Sequence, residues 1–367
     1  MTRRTSIAVP ALATMLALGI ILAPGQQIEA QTPVEAQTPG TVVPPGSIAG
    51  AAGSTGEMPG PILNAFGEEV VATFSIVARD PATDELGVAV QSRAFRAGAI
   101  VSYAKAGVGA IATQAAANQT YGPRGLELLE LGLSPDEVVE HLTGADPGRD
   151  RRQLAVIDAE GRVRAYTGSG TSAWAGHIEG ENFSAQGNIL AGEAVVQAME
   201  EAFESSTGPL ALRLMDALDA GEAAGGDARG KQAGGVLVVR PIGNSGRTTD
   251  RWVDVRVDDH AEPFKELRRL VNMSVSRIHS RDARDLAAQG RFDEAIAAQK
   301  EAIAIVPGED QLIYGLARLY ARAGDAAGAV ATLEEAIAID ARWRGLAATQ
   351  ADFDNIRDNA EFRGLIG

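Results

Sequence analysis

Val71-Ala72-Thr73-Phe74-Ser75-Ile76-Val77-Ala78, then Asp80-Pro81-Ala82-Thr83-Asp84, then Leu86-Gly87-Val88-Ala89-Val90-Gln91-Ser92: the reading of this stretch decides the fold. The outer segments are rich in β-branched and small apolar residues and the middle one in turn formers, which predicts a β-hairpin with ordered structure from Val70 onward. Two more short β-like runs follow, Ala99 to Tyr103 and Gly107 to Thr113. The pattern then turns helical from Gly125 to Leu131, and Ser134-Pro135-Asp136-Glu137 supplies an N-cap, a proline and first-turn acids for a helix reaching Leu142. A second β unit spans Leu154 to Asp158 and Arg162 to Tyr166 around the Ala159-Glu160-Gly161 turn, and a helical hairpin runs from Gly192 to Ala220, broken at Gly208-Pro209. Gly235 to Arg240 is an apolar strand, Trp252 to Val257 alternates, and Pro263 to Val271 closes with a helix. Strands and helices in this order predict an α+β fold in which sheets are layered with helices.

The last part of the chain changes character. Ala283 and Ala317, Gly290 and Gly324, Ala295 and Ala329, and Ala302 and Ala336 are each 34 residues apart. That is the tetratricopeptide period, with small residues where paired helices touch and glycine at the turn between them. The expected organisation is one repeat near Ser276 to Glu309, a second from Asp310 to Trp343, and a tail helix to Ile366. Two repeats are too few to bury a continuous core, so the segment 276–367 must lean on its tail helix, on the preceding domain, or on a second copy.

The chain has 367 residues, 33 Lys and Arg against 48 Asp and Glu, and a net charge of −15. No nucleic acid partner is expected, since phosphate contacts need a concentrated basic face. A hydrophobic content of 45% suits a globular body with packed domains. The absence of cysteine removes disulfides, thiolate nucleophiles and Cys-ligated metals together. Residues 1–30 carry Arg3, Arg4 and an apolar run from Ile7 to Ala23, the pattern of an export signal; an uncleaved membrane anchor is the alternative. Either way the body is expected outside the cytoplasm, periplasmic or extracellular. Residues 31–69, rich in Pro, Gly and Thr, read as an extended, disordered linker.

The four histidines, His141, His177, His260 and His279, show no metal-binding spacing, so neither a metal nor another cofactor is expected. Val257-Asp258-Asp259-His260 reads as a solvated turn, and no G-x-S-x-G elbow, P-loop or dinucleotide fingerprint is present.

Several motifs stand together: Thr73 to Pro81, Gly87 to Arg93, Ala106 to Gln114, Tyr121-Gly122-Pro123-Arg124-Gly125-Leu126-Glu127-Leu128-Leu129, Gln186-Gly187-Asn188-Ile189-Leu190-Ala191-Gly192, and Ala224-Gly225-Gly226-Asp227-Ala228-Arg229-Gly230. From Thr73 to roughly Asn272 they resemble a bacterial family of unassigned function placed in the N-terminal nucleophile (Ntn) hydrolase superfamily. The resemblance implies a four-layer αββα sandwich over residues 70–272, followed by the small all-α tetratricopeptide-like segment. It further implies a nucleophile at the first residue after processing, whose own α-amine accepts the hydroxyl proton. Thr73 takes that place, and a second cut between Ala72 and Thr73 is then required. Thr73 as an ordinary strand residue is the alternative.

Superfamily members also place a lysine on a neighbouring strand, and Lys105 is the candidate; a lysine reaching solvent from a strand end is the alternative. Gln91, Ser92 and Arg93 stand where proteasome-like sites are acidic. Polar residues inside apolar runs supply the candidate ligand groups: Gln91, Ser92, Arg93, Thr113, Gln114 and Asn118, with Gln186 and Asn188 as a second pair before a helix start. Asp227 and Arg229 read as a loop-organising ion pair. The function these features predict is an exported Ntn-type amidohydrolase acting on a small amide or peptide, with cell-wall peptides among the candidates. The alternative is a non-catalytic ligand-binding or scaffold protein. The helical repeats are a candidate surface for a protein partner, and self-association is a further expectation.

Overall fold

The computed structural model describes residues 73–171, 174–242 and 248–367. The expected export signal, the linker and the Ala72 side of the expected cleavage lie outside them, as do Val70 and Val71. Strands β1 (Thr73–Asp80) and β2 (Glu85–Ser92) form the expected antiparallel hairpin, with Thr73 opposite Ser92 and Asp80 opposite Glu85. Then come α1 (Ala97–Val101), β3 (Ser102–Lys105), β4 (Gly109–Ala115), α2 (Tyr121–Glu130) and α3 (Pro135–Gly144). Strands β5 (Arg152–Asp158), β6 (Val163–Thr167), β7 (Trp174–Gly180) and β8 (Phe183–Leu190) follow. Helices α4 (Ala194–Ser205) and α5 (Leu210–Ala223) and strands β9 (Ala233–Val239) and β10 (Arg251–Val257) complete the mixed part.

The strands make two antiparallel sheets, one of six in the order β10-β9-β2-β1-β8-β7 and one of four in the order β3-β4-β5-β6. Side chains alternate along each strand, so each sheet has two buried faces to fill. Val77, Val88 and Val90 meet Ala110, Ala112, Ala155 and Ile157 between the sheets. On the other face of the larger sheet Phe74, Ile76, Ala89 and Ala185 pack against Met199, Leu214 and Leu267 of the covering helices. On the other face of the smaller sheet Ile111, Leu154 and Val156 pack against Val138 and Leu142 of α3 and Leu129 of α2. Ser134 starts α3 with a complete capping box, its side chain and that of Glu137 each satisfying the other's backbone amide.

Two expectations change. Ala99 to Val101 is helical, and strand begins only at Ser102. One turn of helix sets Ala97 and Val101, four residues apart, on the same side, and both enter the core between the sheets. The segment 174–190, in which no strand was expected, forms β7 and the interior strand β8. Gln186 and Asn188 therefore lie on a strand rather than ahead of a helix start. On β8 the polar residues Ser184, Gln186 and Asn188 point between the sheets while Phe183 and Ala185 face the helices, so both faces are buried and the polar alternation no longer marks an exposed side.

Helix α6 (Pro263–Ala288) runs without a break from the sheet region into the repeats, so the expected boundary near 272–276 falls inside it. Leu267, Val271 and Val275 belong to the sheet-side core, whereas Ala283 and Ala287 pack with Ala295 and Leu319. Four helices follow: α7 (Phe292–Ile305), α8 (Asp310–Ala323), α9 (Ala326–Ile339) and α10 (Arg342–Thr349), then a short 3-10 turn and α11 (Ala360–Ile366). The six repeat alanines are all fully buried, and Gly290 and Gly324 have φ of 77° and 83°, a turn conformation that glycine adopts without strain. Phe353 and Phe362 from the tail stack at 5.3 Å between ring centres and close the core around Tyr314 and Trp343. The two repeats are thus supported at one end by α6 and at the other by the tail. No described helix is long and apolar enough to cross a membrane.

Candidate functional site

The first residue of β1 carries the candidate nucleophile. Odd-numbered residues of β1 face the smaller sheet, so Thr73 and Ser75 point between the sheets, and β2 and β8 bring Ser92 and Asn188 level with Thr73. Thr73 Oγ1 donates to Ser92 Oγ at 3.1 Å, and Ser92 Oγ also accepts from the Ala94 amide at 2.9 Å. The Thr73 carbonyl accepts from Gln114 Nε2 at 3.2 Å and from Asn188 Nδ2 at 3.4 Å. Ser75 Oγ donates to Gln114 Oε1 at 2.7 Å and accepts from Gln186 Nε2 at 3.3 Å.

Gln153, on β5, is the hub of this layer. Its Oε1 accepts from Gln114 Nε2 at 2.8 Å and from Asn188 Nδ2 at 3.1 Å. Its Nε2 donates to Thr167 Oγ1 at 2.9 Å and to the carbonyls of Gly176 and Gly187 at 3.0 and 2.9 Å. Thr167 Oγ1 also shares a hydrogen bond of 2.8 Å with His177 Nδ1. Partial desolvation lowers the His177 imidazole below its ordinary value. Thr73, Ser75, Ser92, Gln114, Gln153, Gln186 and Asn188 are all buried, at 1% exposure or less. One amide oxygen, Gln186 Oε1, has no partner among the described residues, and neither has the hydroxyl of Ser184.

Of the residues singled out in the sequence, the structure therefore brings Ser92, Gln114, Gln186 and Asn188 to the layer around Thr73. Gln91 is not among them: as the neighbour of Ser92 on one strand it faces the helices beside Phe74, buried, with both amide atoms unpartnered among the described residues. Thr113 and Asn118 lie on the far face of the smaller sheet, where Thr113 Oγ1 donates to the Asn118 carbonyl at 3.4 Å. Asn118 joins a separate cluster there, donating to Asp146 Oδ2, which also accepts from Tyr121 Oη and Arg152 Nε at 2.8 and 2.9 Å. Arg93 serves the adjoining loop, its amide bonded to Asp227 Oδ2 at 3.0 Å and its Nη1 to the Arg229 carbonyl at 2.7 Å. Asp227 and Arg229 form an ion pair at 3.1 Å in that loop.

Lys105 stands at the opposite end of β3 from this site. Its Nζ pairs with Glu130 Oε1 at 2.6 Å, with both side chains about half exposed. It pairs in register with Gly109 at the start of β4, whereas Gln114, which touches Thr73, lies near that strand's end. The structure does not bring Lys105 to the candidate nucleophile. Ser75 and Gln153 are the members the sequence reading passed over. A lone amide opening the apolar run Gln153-Leu154-Ala155-Val156-Ile157 was the available signal.

A model of a family of unknown function, DUF1028, matches residues 73–267, and a tetratricopeptide-repeat model matches 286–352. Matching solved structures include a crystal structure of a protein from Silicibacter pomeroyi described under the same family model. It is 34% identical, covers 54% of this chain and 84% of that one, and has a TM-score of 0.50. No curated protein matches.

Proposed function

The chain belongs to this family of unknown function, and on the geometry of its buried polar layer we propose that it is an exported Ntn-type hydrolase that cleaves an amide bond through Thr73. The observation that carries the reading is that, among the described residues, every side chain hydrogen-bonded to Thr73 is a neutral hydroxyl or amide. None of them is a base for the hydroxyl proton. A free α-amine on Thr73 itself, titrating near pH ~8, supplies what the arrangement lacks once the Ala72–Thr73 bond is cut. The succession of helices, sheet, sheet and helices supports the same superfamily assignment.

Thr73 Oγ1 bonds to the substrate carbonyl carbon while its proton passes to the α-amine. The ammonium then protonates the leaving nitrogen as the C–N bond breaks, and the acyl group remains as an ester on Thr73. Water, giving a proton to the same amine, attacks the ester; Oγ1 recovers that proton and the acid leaves. Small amides, acylated amines and cell-wall-derived peptides are the substrate candidates, and the leader-like pattern of residues 1–30 supports a reaction outside the cytoplasm. The tetratricopeptide-like repeats add a surface for a protein partner.

N-terminal sequencing and intact mass of the mature protein test this directly. A chain beginning at Thr73, and loss of both scission and amide hydrolysis in Thr73→Ala with an unchanged melting temperature, are the expected results. Amide hydrolysis retained by Thr73→Ala removes the assignment. One observation favours a second reading: Thr73 is fully buried and its hydroxyl is already committed to Ser92. On that reading the layer is structural, the protein is a ligand-binding or scaffold module, and the mature chain keeps residues ahead of Thr73.

A further inference from the structure

One sheet has six strands and the other four, and at the β10 edge of the larger sheet a cavity of about 270 Å³ opens beside β3, the edge strand of the smaller one. Asp254 and Arg256 line it from β10, in register with Leu237 and Gly235 of β9. Leu237 belongs to the core between the sheets, so these two charged residues stand on the side of β10 that faces the smaller sheet. Arg256 is level with Gly235, Val90 and Ser75 across β9, β2 and β1. Three strand spacings amount to about 14 Å, which separates the cavity from the layer around Thr73.

The rim of the cavity is basic. Arg251 Nη1 pairs with Asp254 Oδ2, and Arg256 Nε lies 3.6 Å from Asp254 Oδ1. One carboxylate thus serves two guanidinium groups, and Arg256, about half exposed, makes no hydrogen bond among the described residues. At the inner end Ser102 faces the space between the sheets, opposite Ala112. Its Oγ is buried and has no partner among the described residues, a condition that native structures rarely leave unanswered. Between rim and inner end the wall is formed by Tyr103 of β3 and by Pro123 and Leu126 of α2. The Tyr103 ring lies flat on Gly122, where any Cβ would overlap it, and at Gly98 of α1 a Cβ would come within 2.8 Å of Arg256 Cγ. Glycine at these two positions lets the ring and the arginine stem lie close against the backbone.

We propose that this cavity binds a small aromatic carboxylate that carries a hydrogen-bonding group opposite its acid. The volume exceeds the roughly 150 Å³ that accept a benzene ring, which leaves room for a substituent at each end of the ring. The carboxylate meets the Arg256 fork at the rim through two parallel hydrogen bonds. The ring lies along Tyr103, Pro123 and Leu126, and the opposite group pairs with Ser102 Oγ. Two arginines against one aspartate leave one positive charge, which a single carboxylate balances, a phosphate dianion exceeds and an organic cation opposes.

The test is titration calorimetry on the full chain with 4-hydroxybenzoate as the probe. The neutral 4-hydroxybenzamide, benzoate and inorganic phosphate serve as comparisons. The probe is expected to bind at least about tenfold tighter than its amide, through the charged fork, and about fivefold tighter than benzoate, through the bond to Ser102. Arg256→Gln should lose at least about tenfold for both carboxylates. Ser102→Ala should lose about fivefold for 4-hydroxybenzoate and nothing for benzoate, with the melting temperature within a few degrees of the parent; it keeps the rim charge and decides the matter if Arg256→Gln fails to fold. No heat from 4-hydroxybenzoate at millimolar concentration, equal binding of acid and amide, full binding by Arg256→Gln, an equal loss of both carboxylates in Ser102→Ala, or displacement of the probe by an equal concentration of phosphate would overturn the proposal.

Discussion

The Thr73 and Ser92 hydroxyls meet at 3.1 Å across the register pair that joins the first two strands. Ser92 Oγ receives a second hydrogen bond, from the Ala94 amide, so both of its acceptor positions are used and its orientation is fixed. The direction of the Thr73 hydroxyl is set by a neighbour that is itself held. Ser92→Ala should therefore cost about 1 kcal/mol in urea denaturation and slow amide turnover by about tenfold through lost orientation. Turnover equal to the parent would show that Ser92 serves the fold alone.

Gln153 joins both sheets, since its amide bonds groups on β4, β6, β7 and β8. Gln153→Leu leaves the Gln114 and Asn188 amides and the Gly176 and Gly187 carbonyls without that partner inside the protein. Each such group costs about 1–3 kcal/mol, and the variant should lose at least about 3 kcal/mol of stability. Gln153→Glu keeps the shape but sets a carboxylate against two carbonyls, so its deficit should be larger at pH 7 than at pH ~4, where the acid is neutral. Denaturation midpoints at the two pH values measure this, and equal deficits would contradict it.

Burial alone would raise the Asp146 carboxyl, but hydrogen bonds from Arg152, Tyr121, the Gly148 amide and Asn118 outweigh it and hold the group well below the usual carboxylate range. The sign follows from linkage. A depressed acid adds stability above its unfolded value of about 3.9 and loses it as the pH falls towards the folded value. Asp146→Asn should be destabilised by about 3 kcal/mol at pH 7, with the gap to the parent closing below pH ~4. A gap independent of pH would assign the loss to packing.

Lys105→Met removes a half-exposed ion pair with Glu130, at the far end of β3 from Thr73. Stability should change by less than about 1 kcal/mol, and both scission ahead of Thr73 and amide turnover should be those of the parent. A turnover loss of about a hundredfold in Lys105→Met would restore Lys105 to the reaction.

The sequence by itself determined the β1–β2 hairpin, the start of α3 and the two helical repeats, because each is written in local patterns. Apolar runs bounded by Asp-Pro and Asp-Glu, a capping box, and alanines and glycines recurring every 34 residues act over distances the chain itself spans. It also marked Thr73, Ser92, Gln114, Gln186 and Asn188 as polar residues in or beside apolar segments. Only the tertiary structure decided which of the polar residues meet. Gln91 and Ser92, like Thr113 and Gln114, are adjacent in sequence yet point to opposite faces, and which face becomes the space between sheets depends on a second sheet formed by distant residues. The same cause hid β8: its polar side chains are buried against the Ala112 carbonyl and Gln153 of the facing sheet, partners that no window along residues 183–190 contains.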